Sequence, residues 1–310
     1  MDLIGLGELL IDFIPGSEPY SYIRKAGGAP MNSTIAVARN GLDTAFYGKV
    51  GDDAFGEFLM DTLKENNVEP LCKEPTKEAV TTMAIVTLYE DGERTFTFVR
   101  KPGADMFLYK EDITEEVMSQ TKFLHVAGSL SFGGGPIAET AGYTMKMAHD
   151  LGKVVSFDIN YRDFIWDGDE AAAMVKYKEV LPYVDLLKIS EEEAELLGGE
   201  DNLFNVMKEY GIATIIETLG SKGARCYYNG ETREVAGRKA EAVDATGAGD
   251  AFWGGFMASL LLQGVVTRDD LSMDILEKAM NYGNIAGWFC VQRKGAIDAL
   301  PTREQVESYL

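Results

Sequence analysis

The sequence predicts an α/β fold in which parallel strands are flanked by helices on both faces and a small β-sheet lid lies over one end. Three observations predict it. From residue 122 onward, short apolar runs of strand length alternate with longer runs of helical periodicity, the order that builds a parallel sheet. Residues 79–100 interrupt that order with two alternating runs around a turn at Glu90-Asp91-Gly92-Glu93, which reads as an antiparallel hairpin. The stretch Asp244-Ala245-Thr246-Gly247-Ala248-Gly249-Asp250 is a glycine-rich turn, and it feeds a helix over residues 251–262 that is apolar on most sides.

Taken in order, residues 2–14 alternate and then run apolar as one first strand, with Glu8 and Asp12 near its exit. Acids at that end of a buried strand face the binding crevice of an α/β sheet. Arg24-Lys25-Ala26-Gly27-Gly28-Ala29-Pro30-Met31-Asn32 then leads into a helix over 33–40. Two glycines ahead of a helix let a ligand lie against backbone, and Asn32 offers a hydroxyl both a donor and an acceptor; a plain turn and cap fits the same residues. A strand over 44–50 and a helix through 66 follow. The hairpin strands, 81–89 and 94–100, join residues 13–26 in the small sheet. Phe98 and Arg100 lie where they can close on a bound molecule, and a surface hairpin arginine is the other reading of Arg100.

The second half is more regular. Strands over 123–127 and 154–158 flank a helix over 137–151, and the second delivers Asp158-Ile159-Asn160-Tyr161-Arg162. Three polar residues spaced by two point one way along an extended tail, and the Arg162 fork suits a phosphate or a polyol. A strand over 184–189 carries Lys188, a point charge for phosphates, into the acidic helix start Glu191-Glu192-Glu193. A strand over 214–218 runs into Leu219-Gly220-Ser221-Lys222-Gly223, which completes no G-x-x-x-x-G-K-[S/T], and residues 5–10 complete no G-x-G-x-x-G. A last helix over 275–291 places Asn281 and Asn284 on one face.

Backbone N–H groups in the first turn of a helix lack carbonyl partners and carry partial positive charge, so Gly247, Ala248 and Gly249 leave a concave anion site. A phosphate cradle does not need a carboxylate inside it unless that carboxylate accepts a proton from an attacking hydroxyl, the job assigned to Asp250; a capping aspartate beside a flexible turn is the alternative. Donors that neutralise a transferred group, beside a base that orients the nucleophile, are what phosphoryl transfer requires.

The composition narrows the partners. With 29 Lys+Arg against 50 Asp+Glu the net charge is −21, which argues against nucleic acid and anionic membrane. The chain opens without a basic flank and apolar run of a signal peptide, and its longest apolar stretch, near 251–266, is too short to span a bilayer. Three widely spaced cysteines show neither a disulfide framework nor a zinc motif, so a cytoplasmic setting is expected. With only His125 and His149, a histidine-based triad is not expected.

The seven residues from Asp244 to Asp250, with Gly27-Gly28-Ala29-Pro30-Met31-Asn32 more than 200 residues earlier, resemble the two signatures of the ribokinase-like (PfkB-type) carbohydrate kinases. The resemblance implies a three-layer α/β/α core with a mainly parallel sheet, one kinase domain over 1–310, and a β lid inserted from about 13–30 and 80–107 that also forms a homodimer contact. It implies ATP and Mg2+, with Asp250 as catalytic base, Gly247 to Gly249 as anion hole, and Asp12, Gly27, Gly28 and Asn32 on sugar hydroxyls. Thr218, Gly220 and Gly223 match a nucleotide-contacting turn, and the Asn281 and Asn284 helix matches the adenine pocket. Glu193 matches the acid that organises magnesium indirectly, although Ser190 replaces the asparagine three residues before it. Asp244, Thr246, Arg293 and Gly295 match positions that hold a monovalent cation, K+, in activated relatives. The G-E-x-L-I-D opening over 7–12 and the E-R-x-F-x-F-x-R run over 93–100 look like fructokinases, which makes D-fructose the expected sugar and fructose 6-phosphate the product. Ribose, 2-keto-3-deoxygluconate and aminoimidazole riboside are the alternatives, and a catalytically silent sugar-binding protein is the alternative class.

Overall fold

The protein is seen in a computed structural model that describes residues 1–88 and 94–310; the expected turn at Glu90-Asp91-Gly92-Glu93 lies outside the described residues. Among the described residues, thirteen strands form two sheets. In chain order they are β1 (Leu3–Leu6), β2 (Leu10–Pro15), β3 (Tyr22–Gly27), β4 (Thr44–Tyr47), β5 (Val68–Pro70), β6 (Met83–Leu88), β7 (Arg94–Val99), β8 (Phe123–Ala127), β9 (Val154–Asp158), β10 (Leu186–Ser190), β11 (Thr214–Thr218), β12 (Gly223–Tyr228) and β13 (Glu231–Ala236).

The large sheet runs β13-β12-β11-β10-β9-β8-β1-β4-β5, and every pair from β11 to β5 is parallel. Both faces of its centre are covered, so the strands read as continuous apolar runs: Leu3-Ile4, Phe123-Leu124, Val154-Val155 and Leu186-Leu187 are all buried. Successive side chains point to opposite faces. Ile4, Leu124, Val155 and Leu187 pack on the helices Pro136–Asp150, Glu170–Val180 and Leu203–Tyr210, whereas Leu3, Phe123, Val154 and Leu186 pack on Ala248–Leu262 and Met273–Cys290. This is the three-layer α/β/α arrangement expected from the sequence. The antiparallel edge formed by β12 and β13 was not expected.

The small sheet, in the order β3-β2-β6-β7, is mostly antiparallel with one parallel pair, β2 with β6. Its composition corrects the reading of residues 2–14 as one strand. The chain breaks at Gly7, where φ is +149° and a Cβ would sit 2.5 Å from Pro30 Cγ, and it leaves the large sheet for the small one. Asp12 therefore stands on a lid strand, opposite Lys25 and Ala84, and Glu8 marks the crossing between the sheets.

The Ala248–Leu262 helix is the hub of one layer because its small residues admit two neighbours. A Cβ on Gly254 would lie 2.4 Å from Ala36 Cβ, and one on Gly255 would lie 2.8 Å from Ala286 Cβ. The helices Ala29–Ala38 and Met273–Cys290 thus touch its backbone from two sides, and that contact fixes what its first turn faces.

Candidate active site

Gly247 caps the Ala248–Leu262 helix in the left-handed region, φ +76°, with a Cβ position only 2.5 Å from Ala296 Cβ. The amide of Ala251 is the first to reach back in the α-helical pattern, to Gly247 O at 2.8 Å, so Gly249 and Asp250 lie in the turn whose amides face outward. A Cβ on Gly249 would meet only Lys188 Nζ, at 3.8 Å; the approach to this backbone is open apart from one cation. Asp250 sits at the third helical position. Asn32 Nδ2 donates to its Oδ2 at 2.8 Å and Ser33 Oγ donates to its carbonyl at 3.4 Å, which ties it to the Ala29–Ala38 helix. Burial raises its carboxyl pKa and Asp158 adds to the rise, while Asn32, Lys188 and Arg162 oppose it.

On one side of Asp250 the structure gathers Asp12, Gly27, Gly28 and Asn32. Burial, with repulsion from Asp250, pushes the Asp12 carboxyl up to about 7. The Oδ1 of Asn32 is buried with no hydrogen-bond partner among the described residues, a spare acceptor beside Asp250. The glycines do more than let a ligand approach. A Cβ on Gly27 would stand 2.2 Å from Asp12 Oδ2, and one on Gly28, where φ is +120°, would stand 2.4 Å from Glu8 O. Gly27→Ala is therefore expected to displace the Asp12 carboxylate and raise the KM for the polyol substrate by about tenfold, a loss near 1.4 kcal/mol, with the KM for nucleotide unchanged. Initial-rate kinetics over both substrates checks this, and an equal rise in both constants would refute it.

The lid residues separate. Phe98 stacks on Phe164, ring centroids 4.2 Å apart, and forms an apolar wall. Arg100 does not point into the site. It is 8% exposed, its Nε donates to Asp105 Oδ2 at 2.8 Å, and its terminal nitrogens donate to Leu130 O and Gly133 O at 2.9 and 3.2 Å. A guanidinium held on three sides in this way is a brace where the lid rejoins the core, which corrects both readings of it, as a substrate clamp and as a surface arginine. Arg162 is exposed, donates to Tyr161 O at 2.9 Å, and acts on Asp250 through its charge.

Below the helix start lies a buried ionic cluster. Lys188 Nζ pairs with Asp158 Oδ2 at 2.8 Å, and Asn160 Nδ2 donates to the same oxygen at 3.2 Å. Burial alone would lower the Lys188 pKa, but Asp158 and Glu193 outweigh it, so the ammonium stays charged. Glu193 is tied to the backbone on both sides. Its two oxygens accept from Tyr161 N at 2.7 Å and Ser190 N at 2.8 Å, and with Ser190 it forms a capping box at the start of the Glu191–Leu196 helix. The Ser190 that departs from the family pattern thus serves as an ordinary N-cap. Asp158 Oδ1 and Asn160 Oδ1 remain buried and unpartnered among the described residues.

On the other side of the first turn a cavity of about 320 Å³ opens, lined by Thr218, Gly220, Gly223, Ala248, Gly249 and Asn284 among others. Gly223 is glycine for a local reason, since a Cβ there would lie 2.0 Å from Val235 O across the β12–β13 hairpin. Asn284 is held by donation to Val235 O and Ala236 O at 3.1 and 3.3 Å. Asn281, one turn earlier on the same helix, is not among the lining residues, so the pair expected from spacing contributes one member. Beside the cavity two loops are laced together: Asp244 Oδ2 accepts from Gly295 N at 3.1 Å, and Oδ1 accepts from Thr246 N and Oγ1 at 3.0 and 2.7 Å. Val291 O accepts from Val243 N and Asp244 N at 2.7 and 3.2 Å, whereas the Arg293 N–H only closes the end of its own helix on Cys290 O at 3.2 Å.

Sequence reading missed two groups that matter here. Glu8 was noted only as a strand-end acid, yet it is buried, accepts from Ser129 Oγ at 2.6 Å and Ala29 N at 3.1 Å, and is pushed by burial up to about 7. His125 was set aside as a triad member; it lies in β8 with Nδ1 3.1 Å from Ser156 Oγ, which also accepts from Trp253 Nε1 at 2.9 Å. Burial lowers the His125 pKa to about 4, so this link from the sheet to the helix of Asp250 is neutral. No periodicity or motif marks such a contact in advance.

With this geometry in hand, the comparisons with known proteins are direct. The pfkB family carbohydrate kinase model matches residues 2–303. The chain is 36% identical to the probable fructokinase-5 of Arabidopsis thaliana over 97% of this chain and 94% of that one. It is similar to a fructokinase from Xylella fastidiosa solved with bound ATP, with TM-score 0.89, 29% identity, and 99% and 97% of the two chains covered. It is also similar to a fructokinase from Vibrio cholerae O395 solved with fructose, ADP and calcium, with TM-score 0.88, 31% identity and coverage of 100% and 98%; a double mutant of that enzyme was solved with potassium. The chain belongs to the pfkB family of carbohydrate kinases.

Proposed function

We propose that the protein transfers the γ-phosphoryl group of ATP to the primary hydroxyl of D-fructose, giving fructose 6-phosphate and ADP. The observation that carries this reading is the place of Asp250, at a helix start between the cluster of Asp12, Gly27, Gly28 and Asn32 and a cavity of about 320 Å³ that Ala248 and Gly249 of the same turn help to line. Asp250 takes the proton of the sugar hydroxyl, the hydroxyl oxygen bonds to the γ-phosphorus, and the bond from that phosphorus to the bridging oxygen breaks as ADP leaves. Asn32 holds one carboxylate oxygen of Asp250, leaving the other turned to the sugar. The amides of Gly247 and Gly249, with Lys188, neutralise charge gathering on the transferred group, while the amide of Ala248 between them donates to Ala245 O at 3.2 Å and holds the turn. Magnesium arrives as part of the substrate, Mg·ATP. Among the described residues no cluster of three or more His, Cys, Asp or Glu can hold a metal, and a site with Asp12, Asp158, Glu193 and Asp250 would repel bare ATP.

Fructose is favoured over 2-keto-3-deoxygluconate by Arg100. A sugar acid needs a cation beside its carboxylate, and that guanidinium is committed to Asp105 and two carbonyls, which leaves such a substrate Arg162 alone of the two arginines. The relatives named above are fructokinases, which supports the same choice. The laced loops bearing Asp244, Thr246 and Gly295, with Arg293 close by in the chain, are where K+ would bind, held by backbone carbonyls as such a cation requires. The small sheet exposes Ile23 and Phe96 on the face that carries Asp12, and Tyr22 and Val99 on the other, apolar surface suited to a homodimer contact. Among the described residues the three cysteines are free, which suits a reducing cytoplasm, and no helix is long and apolar enough to cross a membrane.

A coupled ADP-release assay with Mg·ATP over fructose, ribose, 2-keto-3-deoxygluconate and aminoimidazole riboside tests the proposal. Turnover with fructose at the highest kcat/KM is expected. A higher kcat/KM with another sugar would replace the substrate, and binding without turnover on every sugar would replace the enzyme reading with a silent binding protein.

A further inference from the structure

We infer that Tyr309 is a positioning residue for the nucleotide half of the site, holding the loop over residues 237–242 so that the cavity is formed before the base enters. The inference rests on reading that cavity as the nucleotide site. Two side chains of its wall, Arg238 and Trp288, come from separate pieces of chain, the loop after β13 and the Met273–Cys290 helix. Trp288 Nε1 donates to Lys239 O at 2.8 Å, which pins the loop to the helix at one point. The second pin is Tyr309. Its carbonyl accepts from Arg238 NH2 at 2.6 Å, its ring lies 5.9 Å from the Arg238 guanidinium, and the ring centroid is 5.0 Å from that of Trp288 and 5.4 Å from that of Phe289.

Core packing does not account for this placement, because Tyr309 is 44% exposed. What the ring does is join two separate parts of one wall: Arg238, the one charged residue lining the cavity among the described residues, and Trp288, its largest aromatic surface. Loops with few buried contacts open at little cost, and a pocket that must be ordered on binding holds its ligand more weakly. Tyr309 is not among the residues lining the cavity, nor is its other ring neighbour Phe289, so it acts on the cavity through Arg238 and Trp288.

The test compares Tyr309→Ala, Tyr309→Phe, Arg238→Ala and the Tyr309→Ala/Arg238→Ala pair in the full-length protein, with Gly287→Leu as a variant that fills the cavity directly. The readouts are KM for Mg·ATP, KM for sugar, kcat, and the Kd of ADP by calorimetry. Tyr309→Ala is expected to raise the nucleotide KM and the ADP Kd about three- to tenfold, the range of one aromatic pair, with sugar KM and kcat unchanged. Tyr309→Phe should restore both constants, and the double variant should fall short of the product of the singles. If Gly287→Leu raises the nucleotide KM and Tyr309→Ala does not, this inference fails alone. If neither does, the cavity is not the nucleotide site and both readings fail. A Tyr309→Ala protein that loses sugar and nucleotide affinity alike would also overturn it, as a general loosening of the fold.

Discussion

Asp250→Asn lowers kcat by about 10²- to 10⁴-fold, the usual contribution of a positioned general base, while sugar affinity stays within a few-fold of the parent. Asparagine keeps the shape of the side chain and an oxygen for Asn32 Nδ2, now 2.8 Å from the carboxylate, so the turn and the Ala29–Ala38 helix remain in place. What it removes is the proton acceptor. Single-turnover ADP formation, with sugar binding by calorimetry, separates the two effects; a kcat within tenfold of the parent would assign the base elsewhere. The pH profile adds a check on the neighbouring acid. Asp12 is raised by burial and by Asp250 to about 7, so it keeps its proton up to that pH and becomes a carboxylate above it. Sugar hydroxyls donate more strongly to the carboxylate than to the acid, so kcat/KM for sugar rises as pH passes upward through about 7. In Asp12→Asn that step is absent, and a step that persists in the variant belongs to another group.

What the sequence showed and what it hid differ by the range of the interaction. Asp250 and its glycine turn were legible because a helix start, small residues and an acid are adjacent in the chain, and local geometry follows from local sequence. Strands β8, β9 and β11 were legible to the residue because apolar runs between polar ends leave little freedom in where a buried strand begins. The break of residues 2–14 into two strands of different sheets was not, since Gly7 yields to the approach of Pro30, which arrives from 23 residues away. The hairpin of β12 and β13 hid behind polar residues along β13, Thr232 and Glu234 on its exposed face and Arg233 on the other. For site residues the same rule holds. Glu193 was placed by its motif, but only its distance to Tyr161 N shows it as a clamp between β9 and β10. His125, Ser156 and Trp253 meet from three elements, and nothing in any one of them announces the others.

Arg100 carries the largest expected effect on stability. It and Asp105 are both buried, at 8% and 0% exposure, and Asp105 also accepts from Thr82 Oγ1. Arg100→Ala leaves the Asp105 charge without its counter-ion and takes a donor from Gly133 O and one of the donors from Leu130 O, so a loss of about 3–5 kcal/mol in unfolding free energy is expected by urea titration. Deleting both charges should cost much less: Arg100→Met with Asp105→Leu replaces the pair by apolar groups of similar size, and the uncompensated charge is gone. Kinetics at a temperature where each variant is folded then separates brace from clamp. A brace loses stability with a sugar KM changed only a few-fold. A clamp would keep its stability and lose sugar affinity by about a hundredfold, the value of a charge-assisted hydrogen bond pair. Because β7 ends at Val99 and Arg100 is the next residue, the brace also ties the lid to the core. Loosening it should therefore weaken lid closure, seen as a fall in kcat that the double variant, which restores packing without restoring the tie, recovers only in part.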